Sequence, residues 1–167
     1  MQFLSANSLL YIRVVFLLTI VFYLITDPEG LCTAGFVVLM GQAMQVPLVQ
    51  LSKSNPMLGI TAMTFTSLAI GDVIPLLAQN FAYFESLVPI RLAGYFILAG
   101  YIYFVPTSMV SNSLVITFAF LEVWFNFLIF NNLRDEKYYR MKKFVEENAE
   151  AMQRAHDEQV RVIEEDE

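Results

Sequence analysis

Charge is nearly missing from most of this chain. Between residues 1 and 133 stand three basic side chains (Arg13, Lys53, Arg91) and five acidic ones (Asp27, Glu29, Asp72, Glu85, Glu122). Cysteine is reduced to Cys32, which excludes an intramolecular disulfide and a thiolate metal cluster. Histidine is reduced to His156, in a charged stretch where a solvated ring is expected rather than a ligand or base. The chain has no Asn-X-Ser/Thr sequon, no phosphate-binding glycine loop, no Ser-His-Asp set and no basic stripe. Without a basic surface, nucleic-acid binding is not expected. Without groups to activate a nucleophile or hold a cation, enzymatic chemistry is not expected either. No catalytic, cofactor-binding or metal-binding residue is assigned.

What fills the space is hydrocarbon. Hydrophobic residues make up 57% of the chain, with a mean hydropathy of +0.56. Soluble domains lie near about 45–50% apolar. A soluble fold would need almost all of the first 133 residues as core, which a domain of this size cannot arrange. The remaining residues, Arg134 to Glu167, carry seven basic and eleven acidic side chains. Residues 1–133 therefore read as a transmembrane helical bundle and 134–167 as a charged tail, helical in part.

Five apolar segments can be drawn, each approaching the roughly 20 residues a bilayer selects. The first runs Leu9 to Thr26. It is too long for a signal-peptide core and lacks the pattern of a mitochondrial presequence, so it reads as a retained span. It ends at Asp27-Pro28-Glu29-Gly30, where Asp can cap a following helix and Pro can occupy its first position. The second, Leu31 to Leu51, is the weakest, because Gln42, Gln45, Pro47 and Gln50 crowd its second half. The third runs Pro56 to Leu77, the fourth Pro89 to Val105 and the fifth Met109 to Asn131. The expected fold is an all-α bundle of four to five transmembrane helices with a charged cytosolic C-terminal helix. Arg134, Lys137, Arg140, Lys142 and Lys143 follow the fifth segment, and the positive-inside rule puts that end in the cytosol. Five spans would place the N-terminus across the membrane from it, and four on the same side. No internal repeat is present, which disfavours a transporter built from inverted halves.

Each polar group inside this block needs a reason, because an ionised side chain in hydrocarbon costs several kcal/mol unless paired or wetted. Glu122 and Asn126 lie one turn apart on the fifth segment. Asp72 lies late in the third, three residues before Pro75, which leaves the carbonyl of Gly71 without its helical donor. Arg13 lies early in the first segment and Arg91 begins the fourth. Gln42 and Gln45 flank the carbonyl that Pro47 frees. These seven residues form a candidate intramembrane polar network. It serves either as interhelical glue or as an ion or substrate path; glue is the more economical reading without repeats or broken helices. In the tail, Tyr138, Met141, Val145 and Met152 fall on helical steps and form a candidate docking stripe, against the plainer reading of a solvated extension.

The polar motifs also carry a resemblance. Gln42-Ala43-Met44 with Pro47 and Leu51-Ser52 resembles a segment of the fungal "increased loss of mitochondrial DNA" protein family. Asp72-Val73-Ile74-Pro75-Leu76-Leu77 with Val88-Pro89-Ile90-Arg91-Leu92 is similar in the same way. So is Glu122-Val123-Trp124-Phe125-Asn126 with Arg134-Asp135-Glu136-Lys137. The resemblance runs from about Arg13 to Lys137. It implies a small multi-span protein of the endoplasmic reticulum membrane and brings no catalytic or ligand residues.

Two functions are expected from these features. The first is a non-enzymatic accessory or scaffold subunit of a larger endoplasmic reticulum membrane assembly, linked to lipid homeostasis and indirectly to mitochondrial DNA maintenance. Its partners would be membrane lipids and a larger membrane protein. The second is a small channel or carrier using Asp72, Glu122, Arg91 and Gln42. Another intracellular membrane is the alternative location.

Overall fold

The structure, a computed structural model, describes residues 5–149. Among the described residues it is helical and without strands. In chain order the elements are α1 (Ala6–Thr26), α2 (Pro28–Thr33), α3 (Gly35–Ala43), α4 (Met57–Leu77), α5 (Phe81–Phe104) and α6 (Ser113–Glu147). Four of them, α1, α4, α5 and α6, are long and apolar enough to cross a membrane. The outward faces of these helices carry large apolar side chains such as Val15, Ile25, Met63, Ile74, Ile97 and Phe104. In water such a surface would be an aggregation site; against lipid it is the solvated face.

The helix starts are written in the sequence. The Ser5 hydroxyl accepts from the Ser8 amide at 3.3 Å, and the Asn80 side chain accepts from the Tyr83 amide at 3.2 Å. Asp27 accepts from the Gly30 amide at 3.2 Å with Pro28 at the first helical position. Asn55 accepts from the Met57 amide at 3.0 Å. Each cap satisfies an amide that the helix itself leaves without a partner.

The second apolar segment is not a single span. It divides into α2, six residues long, and α3, nine residues long, followed by a turn and non-helical chain. At roughly 1.5 Å per residue, α3 rises only about 14 Å, half of what a crossing needs. Pro47 therefore does not kink a helix, because α3 has already ended. Gln45 takes a left-handed conformation (φ 54), the Gln45 amide donates to Gln42 O at 3.2 Å, and the Val46 amide donates to Gly41 O at 3.0 Å. That is a left-handed helix stop with its paired return hydrogen bonds. The same device ends α4. Gln79 has φ 52, its amide donates to Leu76 O at 3.1 Å, and the Asn80 amide donates to Pro75 O at 2.9 Å.

The chain after α3 is fastened to the start of α6. The Ser113 amide donates to Pro47 O at 3.1 Å, and the Val49 amide donates to the Ser113 hydroxyl at 3.2 Å. Gly41 makes the approach possible: a Cβ there would lie 2.8 Å from Leu48 and 2.9 Å from the Ser113 side chain. Val46, Ile102 and Ile116 form one buried cluster beside this junction. Val14, Leu17 and Ala69 form another, with Phe16, Phe65 and Phe118 packed against it.

The fourth segment begins earlier than Pro89. α5 starts at Phe81 and runs through the proline. A membrane helix tolerates this, because neighbouring groups can satisfy the freed carbonyl. α5 is also the span least covered by the rest of the bundle. The chain divides into two units, Met1–Asn132 and Leu133–Glu167. The second contains the last part of α6, whose Lys142–Glu146 and Lys143–Glu147 pairs lie at 3.8 and 3.6 Å on exposed surface.

Candidate functional site

The interior of the first unit holds a charge cluster drawn from four helices. Arg13 comes from α1, Asp72 from α4, Arg91 from α5, and Glu122 and Asn126 from α6. Arg13 stands between the two carboxylates. Its Nε donates to Glu122 Oε2 at 3.0 Å, its Nη2 lies 3.0 Å from Glu122 Oε1, and its Nη1 pairs with Asp72 Oδ2. Arg91 closes on Asp72 from the other side, with Nη1 donating to Oδ2 at 3.0 Å and Nη2 donating to Oδ1 at 2.6 Å. Asn126 donates through Nδ2 to Glu122 Oε2 at 2.8 Å and to the Glu122 carbonyl at 2.7 Å.

The formal charges of the cluster cancel, two against two. Side-chain exposure is 1% for Arg13, 1% for Asp72 and 0% for Glu122, and Arg91 reaches 16%. A guanidinium suits this place. Its planar fork serves two carboxylates at once, and it is less strongly hydrated than an ammonium. Two acceptors are left over. Asn126 Oδ1 is buried without a hydrogen bond, and Glu122 Oε1 lacks the alignment of one although Arg13 is near.

The fold dictates these meetings. Asp72 sits about two turns before the left-handed stop of α4 at Gln79, and Arg91 sits one turn before Tyr95 on α5. Tyr95 also lies within electrostatic reach of Arg13, Arg91 and Glu122. A lone tyrosine in an apolar helix carries little sequence signal; its place four residues after Arg91 is the one that points to it. Gln42 and Gln45 are not brought to the cluster. Both are exposed, at the end of α3 and in its left-handed stop. Tyr138, Met141 and Val145 are exposed on α6, while Met152 and His156 lie outside the described residues.

Two cavities lie elsewhere in the same unit. One, about 540 Å³, is lined largely by apolar side chains of α1, α4 and α6 and by the chain between α2 and α4. The other, about 480 Å³, is lined by Glu29, Cys32, Thr33, Gln50 and Ser52 among others. Cys32 is buried, and burial pushes its thiol above the usual range, opposed by a backbone hydrogen bond with Leu51.

Comparison with known proteins gives consistent matches. A family model described as "Increased loss of mitochondrial DNA protein 1" matches residues 4–111, a stretch that includes Arg13, Asp72 and Arg91. Protein ILM1 of Saccharomyces cerevisiae is 36% identical over 143 residues, covering 85% of this chain and 70% of that protein. Protein ilm1 of Schizosaccharomyces pombe is 35% identical over 126 residues, covering 74% of this chain and 78% of that one. No solved structure matches.

Proposed function

The chain belongs to the increased loss of mitochondrial DNA protein family, and from that premise we propose that it is a non-enzymatic scaffold or accessory subunit of an endoplasmic reticulum membrane assembly. Its link to mitochondrial DNA, which the family name records, is then indirect and runs through lipid homeostasis. One observation carries the reading. Arg13, Asp72, Arg91 and Glu122 are matched to one another, so their chemistry is used in fastening α1, α4, α5 and α6 together. What such a bundle offers outward is apolar surface, greatest on α5, and a charged C-terminal stretch. Four crossings would put both ends on one side, and the basic cluster after residue 133 supports the cytosol as that side.

The test is to crosslink the tagged full-length protein in its membrane, extract it in gentle detergent and identify the crosslinked peptides. The expected result is a reproducible integral-membrane partner joined through α5 or α6. Recovery of the protein without a repeated partner would overturn the scaffold reading.

The two leftover acceptors, Glu122 Oε1 and Asn126 Oδ1, favour the alternative of a small channel or carrier. Flux through proteoliposomes decides between them. A cation flux lost in Asp72→Asn and Glu122→Gln would support transport. Wild-type vesicles as tight as empty ones would support the scaffold.

A further inference from the structure

The two cavities adjoin, one lined largely by apolar side chains and the other by a carboxylate, hydroxyls and an amide among others. Val49 and Leu51 line both. The larger cavity, about 540 Å³, falls inside the range of about 300–1,000 Å³ common for small-molecule sites. Its walls are Phe16, Ile20 and Leu24 of α1, Leu58 and Phe65 of α4 and Leu121 of α6, among others. Its deep end is closed by aromatic rings: Phe16 stacks on Phe118 at 6.4 Å, and Phe65 meets Phe118 edge-on at 5.1 Å. From Phe16 to the end of α1 at Thr26 the helix rises about 15 Å, at roughly 1.5 Å per residue. That is the depth of one leaflet in a hydrocarbon layer of about 30 Å.

The smaller cavity lies beyond the end of α1, where a headgroup would sit. Its lining has one charge, Glu29, together with Thr33, Gln50 and Ser52. Glu29 is exposed and has no ion-pair partner among the described residues. A carboxylate beside hydroxyl and amide groups accepts hydrogen bonds and favours positive charge. It disfavours a phosphate or carboxylate headgroup.

We propose that these adjoining cavities bind one molecule of a single-chain lipid, its hydrocarbon chain between α1, α4 and α6 and its amine- or hydroxyl-bearing headgroup beside Glu29. The site goes beyond the scaffold reading and does not rest on it. It uses none of the charge-cluster residues. The chain from Val46 to Asn55, non-helical and turned at 53–54, borders both cavities through Val49 and Leu51. This gives a role to the second apolar segment, whose helices are each too short to span.

The experiment uses the full-length protein in mild detergent and a photoactivatable, clickable sphingosine, with palmitic acid carrying the same photoactivatable and clickable groups as the opposite-charge probe. Sphingosine should label peptides containing residues 31–37, 49–51 or 114–121. It should be captured at least five-fold more than palmitic acid. Thr61→Trp fills the cavity from α4, where the Thr61 hydroxyl bonds only its own helix at Met57 O, 2.9 Å away. It should cut sphingosine labelling at least five-fold while the melting profile is kept. Glu29→Gln, an exposed change that leaves the fold alone, should bring the two probes to within two-fold of each other. Label spread over outward residues such as Ile97 and Phe104, with no response to Thr61→Trp, would mean ordinary boundary lipid and overturn the proposal. Should Thr61→Trp fail to fold, Glu29→Gln still decides: an unchanged preference between the probes overturns the headgroup assignment.

Discussion

Arg13 of α1 and Asp72 of α4, 59 positions apart in the chain, are ion-paired at the centre of the bundle with each side chain 1% exposed. Asp72 is the more demanding member, because it also receives both Nη atoms of Arg91. Neutralising it leaves one guanidinium without its only carboxylate and a second with half of its partners. In soluble cores, breaking a buried pair costs about 3–5 kcal/mol. Polar contacts measured inside membranes average about 0.6 kcal/mol and reach about 1.7.

Asp72→Asn is therefore expected to lower the melting temperature and cellular abundance well below those of a lipid-facing control, Ile97→Leu. Adding Arg91→Gln to Asp72→Asn restores charge balance and should recover part of the loss. Thermal melts of the wild type, the control, Asp72→Asn, Arg91→Gln and the double variant in one detergent check this. Additive losses in the double variant would mean the two residues are not coupled.

Glu122→Leu should likewise lose more abundance than Phe120→Leu. Glu122 is 0% exposed and holds Arg13 and Asn126, whereas Phe120 is 45% exposed. Immunoblots against a constant internal membrane standard give the comparison, and equal abundance would remove Glu122 from the interior.

The existence of this cluster was legible because hydrocarbon makes every charge conspicuous. Arg13, Asp72, Arg91, Glu122 and Asn126 stand out against apolar neighbours, and each demands a partner. Which carboxylate meets which guanidinium was not legible, since it depends on helix rotation and tilt. Gln42 and Gln45 misled for a physical reason. A neutral amide in an apolar stretch looks like a buried hydrogen-bonding group, but it serves equally at an exposed helix end. The glutamine at position 45 takes the left-handed place that glycine usually fills, so the end of α3 carried no ordinary stop signal. Pro89 misled in the opposite sense, suggesting a start where α5 continues.

The left-handed stops offer a backbone test. A non-glycine residue in this conformation costs roughly 1–2 kcal/mol, and glycine removes that penalty while losing about 0.5–1 kcal/mol to chain entropy. Gln79→Gly and Gln45→Gly are expected to melt at or slightly above the wild-type temperature. Gln79→Val, β-branched at positive φ, should melt clearly below it. An unchanged Gln79→Val protein would mean that α4 ends differently.

Gly41 should not accept a side chain. A methyl there would press on Ser113 at 2.9 Å, part of the start of α6, and on Leu48 at 2.8 Å. Leu48 is exposed and can swing away, whereas the Ser113 Cβ is fixed to the helix backbone. Gly41→Ala is expected to cost about 1–3 kcal/mol, as overpacking does. The same measurement on Gly94→Ala, where nothing lies within 4 Å, should show no loss.

Cys32 gives a reporter for the polar cavity, because it is the only cysteine in the chain. A thiol pushed up in pKa holds less thiolate at neutral pH, and thiolate is the reactive form. Alkylation of the folded protein should therefore be slow at neutral pH and quicken as pH rises, while detergent-denatured protein reacts at once. Mass spectrometry of the iodoacetamide adduct over a pH series reads this directly. Rapid, pH-independent labelling of the folded protein would place Cys32 outside the wall it shares with Leu51.

The charged end separates docking from solvation. Tyr138, Met141 and Val145 remain 66%, 60% and 49% exposed, in a stretch whose ion pairs are also exposed. Exposed pairs of this kind contribute little to stability, about 0–1 kcal/mol each. Deleting the residues after Lys143 removes Val145 and Met152 and leaves the charge cluster and both cavities in place. The shortened protein should therefore keep its melting temperature in detergent. If the stripe docks a partner, the truncation should release that partner from gentle-detergent extracts, and Tyr138→Ser with Met141→Ser should weaken the same contact. If the stretch is only solvated, recovery of the partner stays the same in both variants. Protease added to sealed microsomes completes the test. A C-terminal tag on the cytosolic side is removed with the membrane intact, and protection of that tag would place the stripe where no cytosolic partner can reach it.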